Sequence, residues 1–175
     1  MIKNKKIMIL FVVFMAFAVV LTGCTGQDTG ENGEEAAQET VSSPSVAVDA
    51  DSLTEAMSAD GTWIIILNQD LTVDQELVLE GDFTEDGELD RKLALYEQDE
   101  DRNVTARYTL EAPSINVQSP NTRFQSGTFV GDVYVEANNF SLIDFTIEGN
   151  IYFENEEAKN TFSMERGSQV TGNLE

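Results

Sequence analysis

Two tyrosines and two glutamates, which could together contact a ligand, recur in this chain at a fixed interval. The segment FVGDVYVE at 129–136 is followed by IEGNIYFE at 147–154, each position shifted by 18. The shared aromatic and acidic residues are Tyr134, Glu136, Tyr152 and Glu154. Exposed aromatic rings beside carboxylates can stack on sugars or contact another protein, although stacked rings also simply stabilise repetitive β-structures. We favour the structural interpretation and keep the ligand face as a hypothesis.

The two glutamates could also hold a cation between them. If the interval of 18 is one turn of a repeating structure, Glu136 and Glu154 lie about 5 Å apart, which is the spacing of neighbouring strands. Like charges at that distance repel each other unless they are screened, protonated or bridged by a cation. Solvation of two exposed carboxylates is the simpler interpretation, and we favour it.

A second arrangement of oxygen ligands lies in the segment DFTEDGELD at 82–90. It matches the start of a calcium loop, with side-chain oxygens at positions 1, 3 and 5 and glycine at position 6. The candidate ligands are Asp82, Thr84, Asp86 and Glu88. Leu93 occupies the position where a calcium loop carries its bidentate glutamate, so an acidic turn after a strand is the favoured interpretation. We therefore expect no cofactor, with Ca²⁺ as the weaker alternative.

The charge of the chain excludes several classes of partner and reaction. There are 32 acidic residues, 10 basic residues and no histidine, which gives a formal net charge of −22. Affinity for phosphate comes from clustered Lys and Arg, so the composition argues against nucleic acid and anionic lipid as ligands. Without histidine, the usual acid–base shuttle and the His-based nucleophile triads are also excluded.

Glycine followed by Asp or Asn marks a repeated corner between apolar segments. The four corners are Gly81-Asp82, Gly131-Asp132, Gly149-Asn150 and Gly172-Asn173. Alternation places Val133 and Val135 on one side of a strand and Tyr134 on the other. One such coil cannot bury its apolar face, but parallel coils stacked with like residues in register can. The pattern therefore predicts an all-β fold of stacked parallel coils, with insertions between some copies.

The corners and alternating strands resemble the right-handed parallel β-helix of the pectin-lyase-like superfamily, over residues 52–175. A β-sandwich or a meandering antiparallel sheet is the alternative that we rank lower. The resemblance implies a comparison with pectate-lyase-like enzymes, in which aspartates hold calcium, and with polygalacturonase-like enzymes, in which clustered aspartates flank the scissile bond. Asp132 and Asn150 occupy equivalent corners here, but no run of adjacent aspartates falls on consecutive coils. Cleavage of glycosides by a carboxylate pair therefore lacks a complete site, and we expect that the protein is not an enzyme.

Two local elements interrupt the predicted coils. The segment DSLTEAMSADG at 51–61 predicts a short helix, with Ser52 as its N-cap and Gly61 as its stop. A helix at this place could cover the open end of a β-stack. Residues 84–113 predict an inserted β-hairpin with an acidic loop. Its two strands and the loop between them are Lys92–Tyr96, Val104–Leu110 and Glu97–Asn103.

The N-terminal segment indicates where the protein is placed. Lysines precede an uninterrupted apolar run over 7–21, which is shorter than a bilayer-spanning helix and fits a secretory signal. The sequence LTGC at 21–24 resembles the lipobox of bacterial lipoproteins. The resemblance implies a signal peptide at 1–23 and a diacylglycerol on Cys24, which would anchor the chain at the extracytoplasmic face of the cell membrane. Cys24 is the only cysteine, so a disulfide framework is excluded.

The two ends of the remaining chain complete this interpretation. Residues 24–51 are rich in Gly, Ser, Thr and Glu, and we interpret them as a flexible acidic tether. The sequence closes on SQVTGNLE at 168–175, and an uncovered parallel edge invites pairing, so we expect weak self-association through the C-terminal coil. Together these features predict a membrane-anchored lipoprotein that acts as a structural or protein-interaction module. Binding or cleavage of carbohydrate through the face of Tyr134 and Tyr152 is the alternative.

Overall fold

The structure, a computed structural model, describes residues 44–175. These residues form fifteen strands and two short helices, which confirms the predicted all-β class. In chain order the strands are β1 (Ser45–Ala47), β2 (Ile64–Leu67), β3 (Leu71–Thr72), β4 (Leu77–Leu79), β5 (Thr84–Glu85), β6 (Glu88–Leu89), β7 (Arg91–Ala94), β8 (Tyr96–Gln98), β9 (Val104–Arg107), β10 (Thr109–Val117), β11 (Thr122–Val135), β12 (Ser141–Glu148), β13 (Ile151–Phe153), β14 (Ser163–Glu165) and β15 (Gln169–Val170). The helices are α1 (Ala50–Met57) and α2 (Glu156–Thr161). Within the described range, no helix has the length and apolar character needed to cross a membrane.

Eleven of the described strands form one sheet, in which successive parts of the chain pair in parallel at three recurring places. These places are named columns here. Column 1 contains β1, β2, β7, the start of β11, the start of β12 and β14. Column 2 contains β3, the first part of β10, the middle of β11, the end of β12 and β15. Column 3 contains β4, the end of β10, the end of β11, β13 and the single residue Leu174.

The described chain crosses the three columns in the same order five times, and each crossing is named a pass. The passes are pass 1 (64–79), pass 2 (91–117), pass 3 (122–135), pass 4 (141–153) and pass 5 (163–174). Between passes 3 and 4 the register is the predicted interval of 18, because Tyr134 pairs with Tyr152 in parallel strands. Gly131 and Gly149 therefore mark the same corner of consecutive passes. The parallel pairing also rules out the meandering antiparallel sheet.

Inward-facing side chains of the columns form a continuous apolar core. Val133 and Val135 are fully buried, whereas Tyr134 between them is 43% exposed, as the alternation predicts. The rings of Phe124, on pass 3, and Phe140, just before pass 4, meet edge to face with centroids 4.9 Å apart. Since passes 1 to 4 each bury apolar residues against the neighbouring pass, the core is continuous along them.

The corner between columns 2 and 3 leaves no room for side chains. A Cβ atom on Gly149 would overlap the carbonyl oxygen of Gly131, and one on Gly172 would overlap the carbonyl oxygen of Gly149. Of these three glycines, only Gly131 also has a positive φ, of 142°. Close approach of the backbones, more than an unusual φ, is therefore the reason for glycine along this corner.

Gly81 is not part of this corner, and the prediction of a fourth copy there is wrong. Leu79 pairs with Val117, which pairs in turn with Val135. Gly81 therefore follows column 3, whereas Gly131 precedes it. The φ of Gly81 is 95°, so glycine is required at this position for a different turn. Gly-Asp occurs in turns of many kinds, and the dipeptide alone does not distinguish them.

The predicted helix is present, but it begins and ends earlier than predicted. Asp49 is the N-cap, because its carboxylate accepts a hydrogen bond from the backbone N–H of Ser52 at 2.8 Å. The Ser52 hydroxyl accepts in return from the backbone N–H of Asp49 at 3.1 Å, so Ser52 is the N3 residue of a capping box. The helix ends at Met57, before Gly61. It packs against β1, β2 and β4.

The folded part also begins before the predicted boundary. The sequence predicts a tether over 24–51 and a domain from residue 52, but β1 pairs in parallel with β2 and Ala47 is fully buried. The segment SVAV at 45–48 is too short to stand out from the acidic composition around it. The predicted signal peptide, the lipidated Cys24 and most of the predicted tether lie outside the described residues.

The insertion predicted at 84–113 is an antiparallel hairpin, but a shorter one. β8 and β9 pair antiparallel around the acidic loop, and β5 and β6 form a second small hairpin before them. The first part of the predicted hairpin strand Lys92–Tyr96 lies in β7 and belongs to column 1, and β10 crosses columns 2 and 3. Leu93 and Leu95 are fully buried in the main core. Alternation of apolar residues describes hairpin strands and column strands equally well, so it misplaces this boundary.

Candidate functional site

The outer face of column 3 brings the predicted ligand residues side by side. Tyr134 of β11 pairs with Tyr152 of β13, and their rings stack with centroids 5.1 Å apart at an interplanar angle of 20°. Glu136 and Glu154 each follow the last paired residue of their strand and so stand on consecutive passes. The four side chains share one surface, as the interval of 18 predicts.

These side chains line an open groove of about 400 Å³, named the column 3 groove. Its polar and aromatic lining consists of Glu76, Asn116, Tyr134, Glu136, Tyr152, Phe153 and Glu154. Glu76 lies just before β4 on pass 1, and Asn116 lies in β10 on pass 2. The groove therefore runs along the stack, across passes 1 to 4.

Sequence reasoning missed Glu76 and Asn116. The interval between passes 1 and 2 is 38 residues at this place, as the contact of Ser114 with Glu76 shows, because the two hairpins lie between them. The repeat of 18 is therefore hidden. The signal that could have found them is the alternation in LVL at 77–79 and INV at 115–117, which pair in parallel residue by residue.

The carboxylate of Glu136 is held in place by two amide groups. The side-chain amides of Asn116 and Gln118 both donate to Oε1 of Glu136, the second at 3.1 Å. Oε1 of Glu76 accepts from the hydroxyl of Ser114 at 2.8 Å. The exposed side chain of Glu154 makes no hydrogen bond or ion pair to any of the described residues. The groove thus combines two fixed carboxylates with one that is free to turn.

The hydroxyl of Tyr152 remains a hydrogen-bond donor at neutral pH. Partial desolvation raises the pKa of Tyr152 above its ordinary value, and the negative charges of Asp132 and Glu175 add to the rise. A phenol that keeps its proton can both donate and accept a hydrogen bond. This hydroxyl therefore adds a hydrogen-bond donor beside the carboxylates of the groove.

A ladder of Asp and Asn side chains follows the glycine corner beside the groove. Oδ1 of Asp132 accepts from the backbone N–H of Asn150 at 2.9 Å and from its side-chain amide at 3.0 Å. Oδ1 of Asn150 accepts in turn from the backbone N–H of Asn173 at 3.0 Å. The predicted equivalence of Asp132 and Asn150 is confirmed. These oxygens stabilise the next pass, which gives this corner a structural role.

Three of the metal candidates, Thr84, Asp86 and Glu88, lie in a β-hairpin, and Asp82 lies just before it. Thr84 in β5 and Glu88 in β6 belong to antiparallel strands, joined by a turn in which Asp86 and Gly87 have φ values of 52° and 82°. Two positive φ values are typical of a tight hairpin turn. Asp82 and the other three candidates are exposed, and residues 44–175 contain no group of three or more acidic or thiol side chains placed to hold a metal ion. The calcium hypothesis rests on the sequence pattern alone.

A second groove, of about 440 Å³, lies beside this hairpin and carries its own cation. The guanidinium of Arg123 is 2.7 Å from the carboxylate of Asp90 and 3.7 Å from that of Glu85. Burial raises the pKa of the Asp90 carboxyl, Arg123 opposes the rise, and Glu85 adds to it. The acidic groups of the second groove are therefore partly neutralised within the chain.

The side chains that line the column 3 groove are suited to binding a ligand. Carboxylates, phenol hydroxyls and an amide can accept hydrogen bonds and attract cations, and the tyrosine rings can pack against apolar groups. No protein-family model, curated protein or solved structure matches the chain, so function is inferred from the sequence and from this surface.

Proposed function

We propose that the protein is a bacterial lipoprotein, anchored through Cys24 at the extracytoplasmic face of the cell membrane, whose folded part is a protein-interaction module. The observation that carries the anchor is the sequence LTGC at 21–24, directly after an apolar run that fits a secretory signal. A diacylglycerol supplies two acyl chains, and two chains give stable anchoring where one is marginal.

The fold that we propose for this module is a small right-handed parallel β-helix. Five passes through three columns in constant order, with parallel pairing throughout the columns, support it. The test is nuclear magnetic resonance of the folded part within the full chain in detergent. Contacts between Val133 and Ile151, and between Thr128 and Thr146, should follow the parallel register. Contacts typical of antiparallel pairing at these positions would reject this fold.

A binding role for the module is supported by the column 3 groove. It crosses four passes of the stack and presents a stacked tyrosine pair, of which Tyr134 is exposed, beside a carboxylate that is already oriented. The chain lacks histidine, and the aspartate at the adjacent corner is engaged with the backbone of the next pass. These features favour an interaction surface over a hydrolytic site.

The anchor is tested by labelling with a fatty acid. Bacterial cells that express either the natural chain or the Cys24→Ser variant are grown with an alkyne-tagged fatty acid. The natural chain should carry the tag and partition into detergent, because the lipidated cysteine holds two buried acyl chains. The Cys24→Ser variant should do neither. An untagged natural chain, or a tagged variant, would reject the anchor.

Carbohydrate binding or cleavage is the second candidate, and the exposure of Tyr134 favours it. The two tyrosine rings stack on each other, so a sugar could reach only their edges, hydroxyls and outer faces. A glycan array separates the candidates. Under the second candidate the natural chain should bind a defined set of glycans, and the Tyr152→Ala variant should lose the signal.

We also propose weak self-association of the module through pass 5. Among the described residues, no strand pairs with the outer side of β14 or β15, so their backbone groups face outward. An open parallel edge of this kind is a template for another chain.

A further inference from the structure

The column 3 groove differs from the second groove in that no basic residue lines it. Its lining contains three carboxylates, those of Glu76, Glu136 and Glu154, and neither lysine nor arginine. The second groove contains Arg123, which pairs with its acidic neighbours. No basic residue in the lining of the column 3 groove neutralises its negative charge, so a cationic ligand can do so.

The hydrogen bonds of the groove leave carboxylate oxygens without a donor. The amide nitrogen of Asn116 donates to Glu136, while the Oδ1 atom of Asn116 is buried and has no donor in the described residues. In both Glu76 and Glu136, Oε1 accepts the hydrogen bonds from neighbouring side chains. The Oε2 atom of each carboxylate therefore remains available to a ligand. Since Glu136 is already oriented, little rotamer freedom is lost when a ligand binds it.

The length of the groove fits a short extended segment of polypeptide. Passes 1 and 4 are three strand spacings apart, which is roughly 14 Å. An extended chain rises about 3.4 Å per residue, so about four residues span this distance. The carboxylates are spread along the groove and do not converge on one point, which suits several cationic side chains on one backbone better than one metal ion.

The tyrosine pair suits the same ligand. The methylene stem of lysine or arginine packs against aromatic surface while its charged head remains at a polar edge. A cation near an aromatic face also gains from the charge distribution of the ring. The hydroxyl of Tyr152, which stays protonated, can donate to a backbone carbonyl of a bound segment.

We propose that the column 3 groove binds an extended peptide segment rich in lysine or arginine, presented by a partner protein. This inference rests on the interaction role proposed above and names the chemistry of the partner. Its charge complements a chain with a formal net charge of −22, which also steers a basic partner towards it.

The test is a titration of the full-length chain in uncharged detergent with a fluorescein-labelled peptide of alternating lysine and serine. The same peptide with every lysine acetylated is the ligand control. The variant is Glu136→Gln with Glu154→Gln, which keeps the shape of both side chains. The protein control is Glu100→Gln with Asp101→Asn in the exposed loop between β8 and β9, which changes the net charge equally.

Fluorescence anisotropy should show one peptide per chain, no saturable binding of the acetylated peptide, and weaker binding as salt is raised. The groove variant should weaken binding about tenfold or more, because two charge-assisted contacts are lost, and the loop variant less than about twofold. Equal weakening by the two variants would overturn the proposal, because binding would then follow net charge alone. Absence of binding to the natural chain, or equal binding of the acetylated peptide, would also overturn it.

The outcomes separate this inference from the proposals on which it stands. A chain that fails the fatty-acid labelling but binds the lysine peptide loses the anchor alone. If the labelled chain binds glycans through Tyr152 but does not bind the peptide, the peptide proposal is overturned. The groove is then a carbohydrate-binding site. Circular dichroism of each variant shows whether a loss of binding comes from a loss of fold.

Discussion

The two ends of the described stack differ in how their inward-facing residues are covered. At the N-terminal end, α1 lies over pass 1, and Leu53 and Met57 are fully buried. At the other end, Met164 is in register with the buried Leu142 and yet is 38% exposed, and Leu174 is 47% exposed. The comparison shows that a side chain directed towards the core is not buried for that reason alone. It is buried only where a pass or a helix covers it on both sides along the stack.

The covered end is also held by a buried cation. Arg91 in β7 donates to the carbonyl oxygens of Ala56 at 2.9 Å and Ser58 at 3.4 Å, and its guanidinium lies 3.7 Å from the ring centre of Phe83. Burial lowers the pKa of Arg91 to about 10, against the opposing effect of Glu80, so the group stays charged at neutral pH. Carbonyl groups at a helix C-terminus carry partial negative charge, which this cation offsets.

Truncating one methionine at each end gives the largest expected contrast. Met57→Ala should lower the free energy of unfolding by about 2–5 kcal/mol, because it opens a cavity under α1. Met164→Ala removes the same atoms from a partly exposed site and should cost less than about 1 kcal/mol. Urea unfolding of both variants, followed by circular dichroism, measures the difference. Similar losses would show that the two ends are equally well covered.

A methyl group at the glycine corner sharpens the comparison inside the stack. Gly149→Ala places a Cβ against the carbonyl oxygen of Gly131, with pass 5 on its other side, and should cost about 1–3 kcal/mol through overpacking. Gly172→Ala creates a similar overlap with Gly149, but it does so on the last described pass, which can move outward. Its loss of stability should therefore be smaller. If thermal unfolding ranks the two variants in the opposite order, the open end is more rigid than the middle.

The exposed residues at the open end should support weak self-association. The mass measured by light scattering should rise with protein concentration, and Leu174→Glu should reduce the rise. Val78→Glu is the matched control, because Val78 is similarly exposed at 42% but lies on the side of the stack. A monomeric mass at high concentration would reject the association, and equal effects of the two variants would place it elsewhere.

The smallest expected effect concerns acid and the helix cap at the covered end. Hydrogen bonds from the Ser52 side chain and backbone lower the pKa of Asp49 below its ordinary value of 3.8. A lowered pKa in the folded state stabilises the protein above the ordinary value, and this contribution is lost as pH falls through the folded value. Asp49→Asn should therefore reduce the loss of stability on acidification below 3.8. Unfolding curves of both chains over that range provide the measurement, and parallel losses would contradict the cap.

The regular passes were predictable from the sequence because their repeat is uninterrupted. Gly131 and Gly149 lie one interval of 18 apart, and this single fact places Tyr134 above Tyr152. Steric exclusion at the corner forces glycine there, so the sequence keeps a visible mark of the geometry. The parallel direction of the strands and the shared face of the groove both follow from it.

The irregular passes were less predictable because their length is set by insertions. Glu76 contacts Ser114, which lies 38 residues later in the chain, and no local sequence pattern predicts that interval. The strand with Leu93 alternates as a hairpin strand would, and only its burial in the main core decides between the two. Asp49 was missed as the cap because Ser52 also fits that role, and the capping box is reciprocal.

The hairpins leave the stack at its corners, so they also mark where foreign sequence can be spliced in. A Cβ atom at Gly87 would meet nothing within 4 Å, and the turn at this glycine only joins two short exposed strands. An epitope inserted there should be displayed on the surface of the molecule without disturbing the columns. The same epitope placed after Val133 would separate strands that share a ladder of backbone hydrogen bonds. We therefore expect insertions to be tolerated in the hairpins and to disrupt the fold in the columns.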